Sequence, residues 1–199
     1  MKKRGVFLDR DGVLTDLVLN PKTHEYEAAQ KAEDLKLLPD ILSPLHDLLN
    51  LGFFLLIVSN QPDYAKGKTT FESLQDVHKN FIETLNNNFI HITECYYCYH
   101  HPDGIVKELS IICECRKPGS LFLKKAQSDY NIDLKASWMI GDRDTDVICG
   151  RSVGTRTILI QEPKSAKYRQ TVSPDYYAGN LKEAVNIIIS EDNKNVKGD

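Results

Sequence analysis

Asp9 and Asp11 stand one residue apart in the run Phe7-Leu8-Asp9-Arg10-Asp11-Gly12-Val13, where an apolar strand stops. Two like charges this close are costly to hold together unless a cation or a shared proton neutralises part of the charge. Such a pair can divide its work, one carboxylate acting as nucleophile and the other as acid and base. The plainer alternative is a solvated turn, because Asp-Gly is a common turn pair. A second acidic cluster, Asp142, Asp144 and Asp146, reads by itself equally well as the first turn of a helix stabilised by the helix dipole. Two acidic clusters at strand ends of one sheet can share a hard cation such as magnesium, which prefers carboxylate, carbonyl and water oxygens.

Other groups gain meaning only in this company. Ser59 and Asn60 follow a buried run and offer a hydroxyl and an amide to an anion, though they could be turn residues alone. Arg116-Lys117-Pro118 supplies two cations beside a proline that fixes the local chain direction. Alone it is an ordinary basic loop. Five cysteines are present, at positions 95, 98, 113, 115 and 149. In a reducing compartment the four between 95 and 115 read as metal ligands rather than disulfide partners.

The elements that must position these groups are legible from period and punctuation. Gly5 to Leu8 reads as a short buried strand, and Asp40 to Leu51 as a helix stopped by Gly52. Phe53 to Val58 is a continuous apolar run, as expected of a strand covered on both faces of a parallel sheet. Thr70 is placed to cap a helix with a stripe at Phe71, Leu74, Val77, Phe81 and Leu85. Ile90 to Tyr97 reads as a strand leading into the cysteine- and histidine-rich loop. Ser120 to Tyr130 reads as helix, Ser137 to Ile140 as strand, Asp144 to Ser152 as helix and Thr157 to Ile160 as strand. Pro163 to Ser173 is expected to be loop, Tyr176 and Tyr177 an edge strand, and Asn180 the cap of a last helix through Ile189. Alternating strands and helices predict an open, mostly parallel sheet with helices on both faces, whose ligands bind beyond the carboxyl ends of the strands.

Bulk numbers bound the rest. The chain of 199 residues predicts one domain, 1–190, with 191–199 expected as a disordered tail. A net charge of -3 argues against a nucleic-acid track. The basic start Met1-Lys2-Lys3-Arg4 is followed by an apolar stretch cut at Asp9, which does not suit a secretory leader, and no run reaches the length of a membrane span. A cytoplasmic monomer is the expectation, with a small anionic partner rather than nucleic acid or membrane.

Asp9-Arg10-Asp11-Gly12, Ser59-Asn60-Gln61, Lys117, and Gly141-Asp142 with Asp146 resemble the four ordered motifs of the haloacid dehalogenase superfamily of phosphohydrolases. More narrowly, Cys98-Tyr99-His100-His101-Pro102-Asp103-Gly104 followed by Cys113-Glu114-Cys115-Arg116-Lys117-Pro118 is similar to the zinc loop of the D,D-heptose 1,7-bisphosphate phosphatase family, which also includes histidinol phosphatases. The resemblance runs from about residue 4 to residue 160. It implies an α/β fold, a three-layer Rossmann-like open parallel sheet with a zinc-binding loop at 98–115 and no large cap domain. It implies that Asp9 attacks phosphorus, that Asp11 serves as acid and base, and that magnesium is held by Asp9, the Asp11 carbonyl and Asp142, with Asp146 in the outer shell. Ser59, Asn60, Arg116 and Lys117 are the expected phosphate and substrate contacts.

Three thiolates and one imidazole suit tetrahedral zinc, and a filled protein shell marks a structural site. The expected ligands are Cys98, His100, Cys113 and Cys115; Cys95 in place of His100, or His101 as nitrogen donor, are the alternatives. Zinc there would pin Arg116 and Lys117 toward the phosphate. The sequence departs from these relatives after Gln61, where Pro62-Asp63-Tyr64-Ala65-Lys66-Gly67 replaces the usual Ser-Gly-Ile-Ala-Arg-Gly. Specificity is therefore expected to lie in Arg116, this loop and the segment Leu17 to Lys31. The leading expectation is a heptose 1,7-bisphosphate 7-phosphatase. Histidinol phosphate or another small phosphate ester is the second substrate reading, and a non-catalytic zinc-stabilised binding module the reading from another class.

Overall fold

A computed structural model describes residues 2–21 and 23–197. In chain order the regular elements are β1 (Arg4–Leu8), β2 (Val18–Asn20), β3 (Glu25–Glu27), α1 (Leu42–Asn50), β4 (Phe53–Asn60), α2 (Phe71–Asn87), β5 (Glu94–Cys98), α3 (Leu121–Tyr130), β6 (Trp138–Gly141), α4 (Asp144–Ser152), β7 (Arg156–Ile160), β8 (Tyr176–Ala178) and α5 (Leu181–Lys197). Six strands form one sheet in the order β5-β4-β1-β6-β7-β8, every pairing parallel. The chain builds outward from β1 through β4 to β5, then returns to the other side of β1 for β6, β7 and β8. This reversal opens a crevice at the carboxyl ends of β1, β4 and β6, where such sheets bind ligands.

Strand side chains alternate between faces, and both faces are apolar. Val6, Leu8, Leu55, Ile57 and Ile140 pack with Leu45 and Leu48 of α1, Phe81 and Leu85 of α2, and Val185 and Ile188 of α5. Phe7, Leu56, Val58 and Met139 face the opposite way, toward Leu123 and Ala126 of α3 and Cys149 of α4. Each such side chain, fully buried, contributes about 1.5–3 kcal/mol from desolvation. The result is the three-layer sandwich expected. The residues between β4 and Lys117 make α2, β5 and the cysteine loop, and no cap domain occurs among the described residues.

Three local differences from the sequence reading have physical causes. The strand expected from Ile90 begins at Glu94. Ile90 is buried beneath the sheet as a core plug after the left-handed Phe89, so its hydrophobicity reports packing rather than pairing. The segment 17–31 contains an antiparallel hairpin, β2 with β3, in the register Val18↔Glu27 and Asn20↔Glu25. The tail expected to be disordered from 191 is helical through Lys197. Asp192 is tied to β1 by a bidentate ion pair from Arg4 Nη1, 2.7 Å to each carboxylate oxygen, which holds the extra turns against the sheet. Gly198 and Asp199 lie outside the described residues. Asn180 caps this helix as anticipated, its Oδ1 accepting from Glu183 N at 2.9 Å. No helix among the described residues is long and apolar enough to cross a membrane.

Candidate active site

The three strand ends bring Asp9, Ser59 and Asp142 to one crevice, and the loop after the cysteine cluster adds Lys117. All four are buried. Lys117 Nζ lies 3.0 Å from Asp9 Oδ2 and 2.6 Å from Asp146 Oδ1, and donates to the Val58 carbonyl at 2.7 Å. Burial alone would discharge a lysine, but Asp146 and Asp9 hold its proton well above the ordinary range. Burial likewise pushes the Asp9 carboxyl up, yet Lys117, the Ser59 hydroxyl and Arg143 together bring it below its usual value. The Asp9 carboxylate therefore stands ionised against an ammonium.

Asn60 lines the same cavity, and its amide also makes contacts that the sequence does not announce. Its amide donates to the Lys117 carbonyl at 3.1 Å and accepts from Lys117 N at 3.0 Å. The side chain clamps the lysine's backbone, which leaves its amide committed to protein rather than to an anion. Asp146 also divides its carboxylate, one oxygen on Lys117 and the other on Arg143 N at 3.0 Å, where it closes the first turn of α4. Asp144 faces away, accepting from Gln170 N, Thr171 N and Thr171 Oγ1. The second acidic cluster thus contains two site residues and one structural one.

Asp142 supplies the test for a cation. Both of its carboxylate oxygens are buried without a hydrogen-bond partner among the described residues, and the Arg143 Nε is 3.8 Å away. Burial, then repulsion from Asp9 and Asp146, push its carboxyl up to about 7. Ligand atoms of Asp9, Asp142 and Asp146 all lie within 4.8 Å of one another. An orphaned buried carboxylate beside Asp146 and the cavity-lining Asp9 fits a hard divalent ion. Gly12 lets the β1 loop come this close: its φ is +85°, and a Cβ there would overlap the Asp142 carboxylate.

Asp11 is held by partners that sequence spacing does not announce. Arg10, itself 1% exposed, brings Nε and Nη2 within 3.1–3.2 Å of the carboxylate and lies over the Tyr97 ring. Gln61 Nε2 donates to Asp11 Oδ2 and lies 3.1 Å from Ser59 Oγ, and Thr15 Oγ1 lies 3.1 Å from Asp11 Oδ1. Arg10 and Gln61 are the functional residues that sequence reasoning misses. Their only signal is adjacency to the two motifs.

Cys98, His100, Cys113 and Cys115 converge as expected. Sulfur–sulfur separations run from 3.1 Å for Cys115–Cys98 to 3.6 Å for Cys98–Cys113, and His100 Nδ1 is 3.3 Å from Cys115 Sγ. Four donors this near one another suit the edges of a tetrahedron with metal–sulfur bonds of about 2.3 Å. Burial raises the Cys98 and Cys115 thiols, an opposition to thiolate that a bound dication reverses. The alternatives fall away on position. Cys95 sits on β5 outside the cluster, and His101 Nδ1 accepts from Asp103 N.

Asp9, Asp11, Ser59 and Lys117 open into a cavity of about 530 Å³ whose other walls are Glu25 and Tyr26 of the hairpin, the loop after Gln61, Arg116, Arg143 and Tyr168. Lys66 and Arg116 line it with no ion-pair partner among the described residues, and each has its proton affinity lowered first by burial. The hairpin wall is fastened to the segment after β7 by ion pairs Lys167–Glu25 and Lys164–Asp16.

A family model for HAD-hydrolase-like proteins matches residues 114–184. A D-glycero-beta-D-manno-heptose-1,7-bisphosphate 7-phosphatase of Yersinia pestis is 30% identical over 178 residues, 88% of this chain and 90% of its own. A D-glycero-alpha-D-manno-heptose-1,7-bisphosphate 7-phosphatase of Photorhabdus laumondii is 33% identical over 156 residues, 77% of this chain and 79% of its own. Among solved structures, D,D-heptose 1,7-bisphosphate phosphatase from B. bronchiseptica, complexed with magnesium and phosphate, shares the fold at a TM-score of 0.77. It is 20% identical, over 94% of this chain and 99% of that one. With its buried Asp9–Lys117 pair, orphaned Asp142 carboxylate and cysteine–histidine cluster, the chain belongs to the D,D-heptose 1,7-bisphosphate phosphatase family of the haloacid dehalogenase superfamily and is a phosphomonoester hydrolase.

Proposed function

We propose that this enzyme removes the C7 phosphate of D-glycero-D-manno-heptose 1,7-bisphosphate, with magnesium as its catalytic ion and zinc as a structural one. The observation that carries this reading is the charge layout of one cavity. Lys117 is already matched by Asp9 and Asp146, while Lys66 and Arg116, lining the same cavity, have no ion-pair partner among the described residues. A substrate with a second anionic group would satisfy them, and a monophosphate with a neutral tail would not.

Asp9 attacks phosphorus; the Asp9–phosphorus bond forms as the bond to the C7 oxygen breaks, and Asp11 gives that oxygen its proton. Asp11 then takes a proton from water as the water displaces Asp9 and releases phosphate. For this Asp11 turns from Arg10 and Gln61 toward the cavity it lines. Between turnovers those two residues keep it in place. Ser59 and Lys117 hold the equatorial oxygens, and Asn60 keeps Lys117 in position. Magnesium, held by the Asp9 and Asp142 carboxylates and the Asp11 carbonyl with Asp146 behind, supplies positive charge where negative charge develops.

The deciding assay is phosphate release from heptose 1,7-bisphosphate, histidinol phosphate and a set of sugar monophosphates, with and without magnesium. The bisphosphate is expected to have the highest kcat/KM; equal turnover of every member removes the single-substrate reading. Arg116→Ala is expected to raise KM for the bisphosphate about 10-fold, with kcat less affected.

Zinc at Cys98, His100, Cys113 and Cys115 fixes the loop that continues directly into Arg116 and Lys117. Cys113→Ser is expected to lower the zinc content and to cut kcat/KM about 10- to 100-fold through the misplaced cations. Full zinc occupancy in that variant, measured by atomic absorption, would show that the ligand set is wrong.

A further inference from the structure

Two residues after the second-strand motif Ser59-Asn60-Gln61 the chain places Asp63. The residue is buried, 8% exposed, and what remains exposed lines the same cavity as Asp9 and Arg116. Its carboxylate is fixed from one side only. Oδ2 accepts from Gln30 Nε2 at 3.1 Å, and Gln30 is in turn 3.1 Å from Glu27, whose other oxygen receives Lys68 at 2.6 Å. Lys68 N closes the ring by donating to the Asp63 carbonyl at 2.9 Å. Loop and hairpin are thereby joined around the side chain, while Oδ1 has no hydrogen bond or ion pair among the described residues.

Asp63 lines this cavity together with Asp11, Lys66 and Arg116. Oδ1 is left able to accept from a ligand in the cavity, and a hydrogen bond to a carboxylate is among the stronger ones.

We propose that Asp63 is a specificity-determining residue whose Oδ1 accepts a hydrogen bond from a hydroxyl of the substrate's sugar. This inference rests on the sugar-bisphosphate reading above and says which feature of the sugar is recognised. A preordered acceptor, held by Gln30 and the Glu27–Lys68 pair, discriminates strongly because an analogue without the hydroxyl leaves it unpaired.

The test measures kcat/KM of wild type, Asp63→Ala, Asp63→Gly and Asp63→Asn on heptose 1,7-bisphosphate and on p-nitrophenyl phosphate, which has no hydroxyl chain. The ratio of the two is expected to fall about 10- to 100-fold in the alanine variant, chiefly through KM of the sugar. Asp63→Gly repeats the deletion should alanine unsettle the loop. Asp63→Asn is expected to recover part of the ratio because its carbonyl still accepts. A ratio within twofold of wild type in both deletions overturns the proposal, since a merely structural role lowers both activities together. If the wild type does not turn over the heptose bisphosphate, the best hydroxylated substrate of the panel takes its place. Failure of the substrate assignment is then seen in the wild type, and failure of the Asp63 assignment only in the variants.

Discussion

Replacing Asp9 by asparagine is expected to lower turnover by at least about 10⁴-fold while leaving the protein folded. The amide keeps the shape of the carboxylate, and its oxygen can still accept from Arg10 N, a contact of 2.7 Å in the structure. What it loses is the nucleophile. The effect on stability is expected to be small because two terms oppose each other. Asp9→Asn gives up the attraction to Lys117, yet it relieves the repulsion that Asp9 exerts on Asp142 and Asp146. A melting temperature within roughly 4 °C of wild type in EDTA follows if the two nearly cancel. Residual turnover above about one per cent, well beyond what positioning alone leaves in a nucleophile deletion, would show that another group attacks phosphorus.

How much of this is legible in the sequence depends on the range of the interaction. The sheet and its helices are, because buried parallel strands such as Phe53–Asn60 are continuous apolar runs and α2 carries its stripe at helical spacing. The cysteine cluster is too, since ligand type and spacing already restrict the choice, though only coordinates place Cys95 and His101 outside it. Strand ends carrying Asp9, Ser59 and Asp142 are legible for a topological reason. What the sequence does not reveal is which polar side chain meets which. Asn60 beside a serine reads as an anion ligand, yet its partners lie 57 residues away on the Lys117 backbone. Nothing in the sequence singles out Arg10, which is one of the most buried side chains because Asp11 and Tyr97 satisfy it. The β2–β3 hairpin is hidden because Asn20, Glu25 and Glu27 give no alternating apolar pattern; cross-chain ion pairs, Lys68 to Glu27 and Lys167 to Glu25, hold it instead. The last turns of α5 are hidden likewise, being fastened by Arg4 from the other end of the chain.

Removal of Lys117 is expected to do what removal of Asp9 does not, and destabilise the protein. Lys117→Met keeps the volume of the stem but deletes the cation between Asp9 and Asp146 and the donor to the Val58 carbonyl. Breaking a buried pair by removing one partner costs about 3–5 kcal/mol, because the charges left behind have no compensation. In EDTA the variant is expected to unfold well below wild type. The deficit should shrink as pH is lowered into the carboxylate range: without the lysine, the buried acids titrate higher in the folded than in the unfolded chain. The folded state then binds more protons, and stability rises as pH falls. Magnesium should raise the melting temperature of Lys117→Met by more than that of wild type, because an ion bound only by the folded state stabilises more where more uncompensated charge is present. Turnover is expected to fall about 10³-fold even with magnesium, since the equatorial phosphoryl oxygens lose a fixed cation. Melting curves of both variants, with EDTA and with magnesium, read these signs together. Equal destabilisation of Asp9→Asn and Lys117→Met would mean that Asp9 and Lys117 are held by general packing rather than by the charge balance of the site.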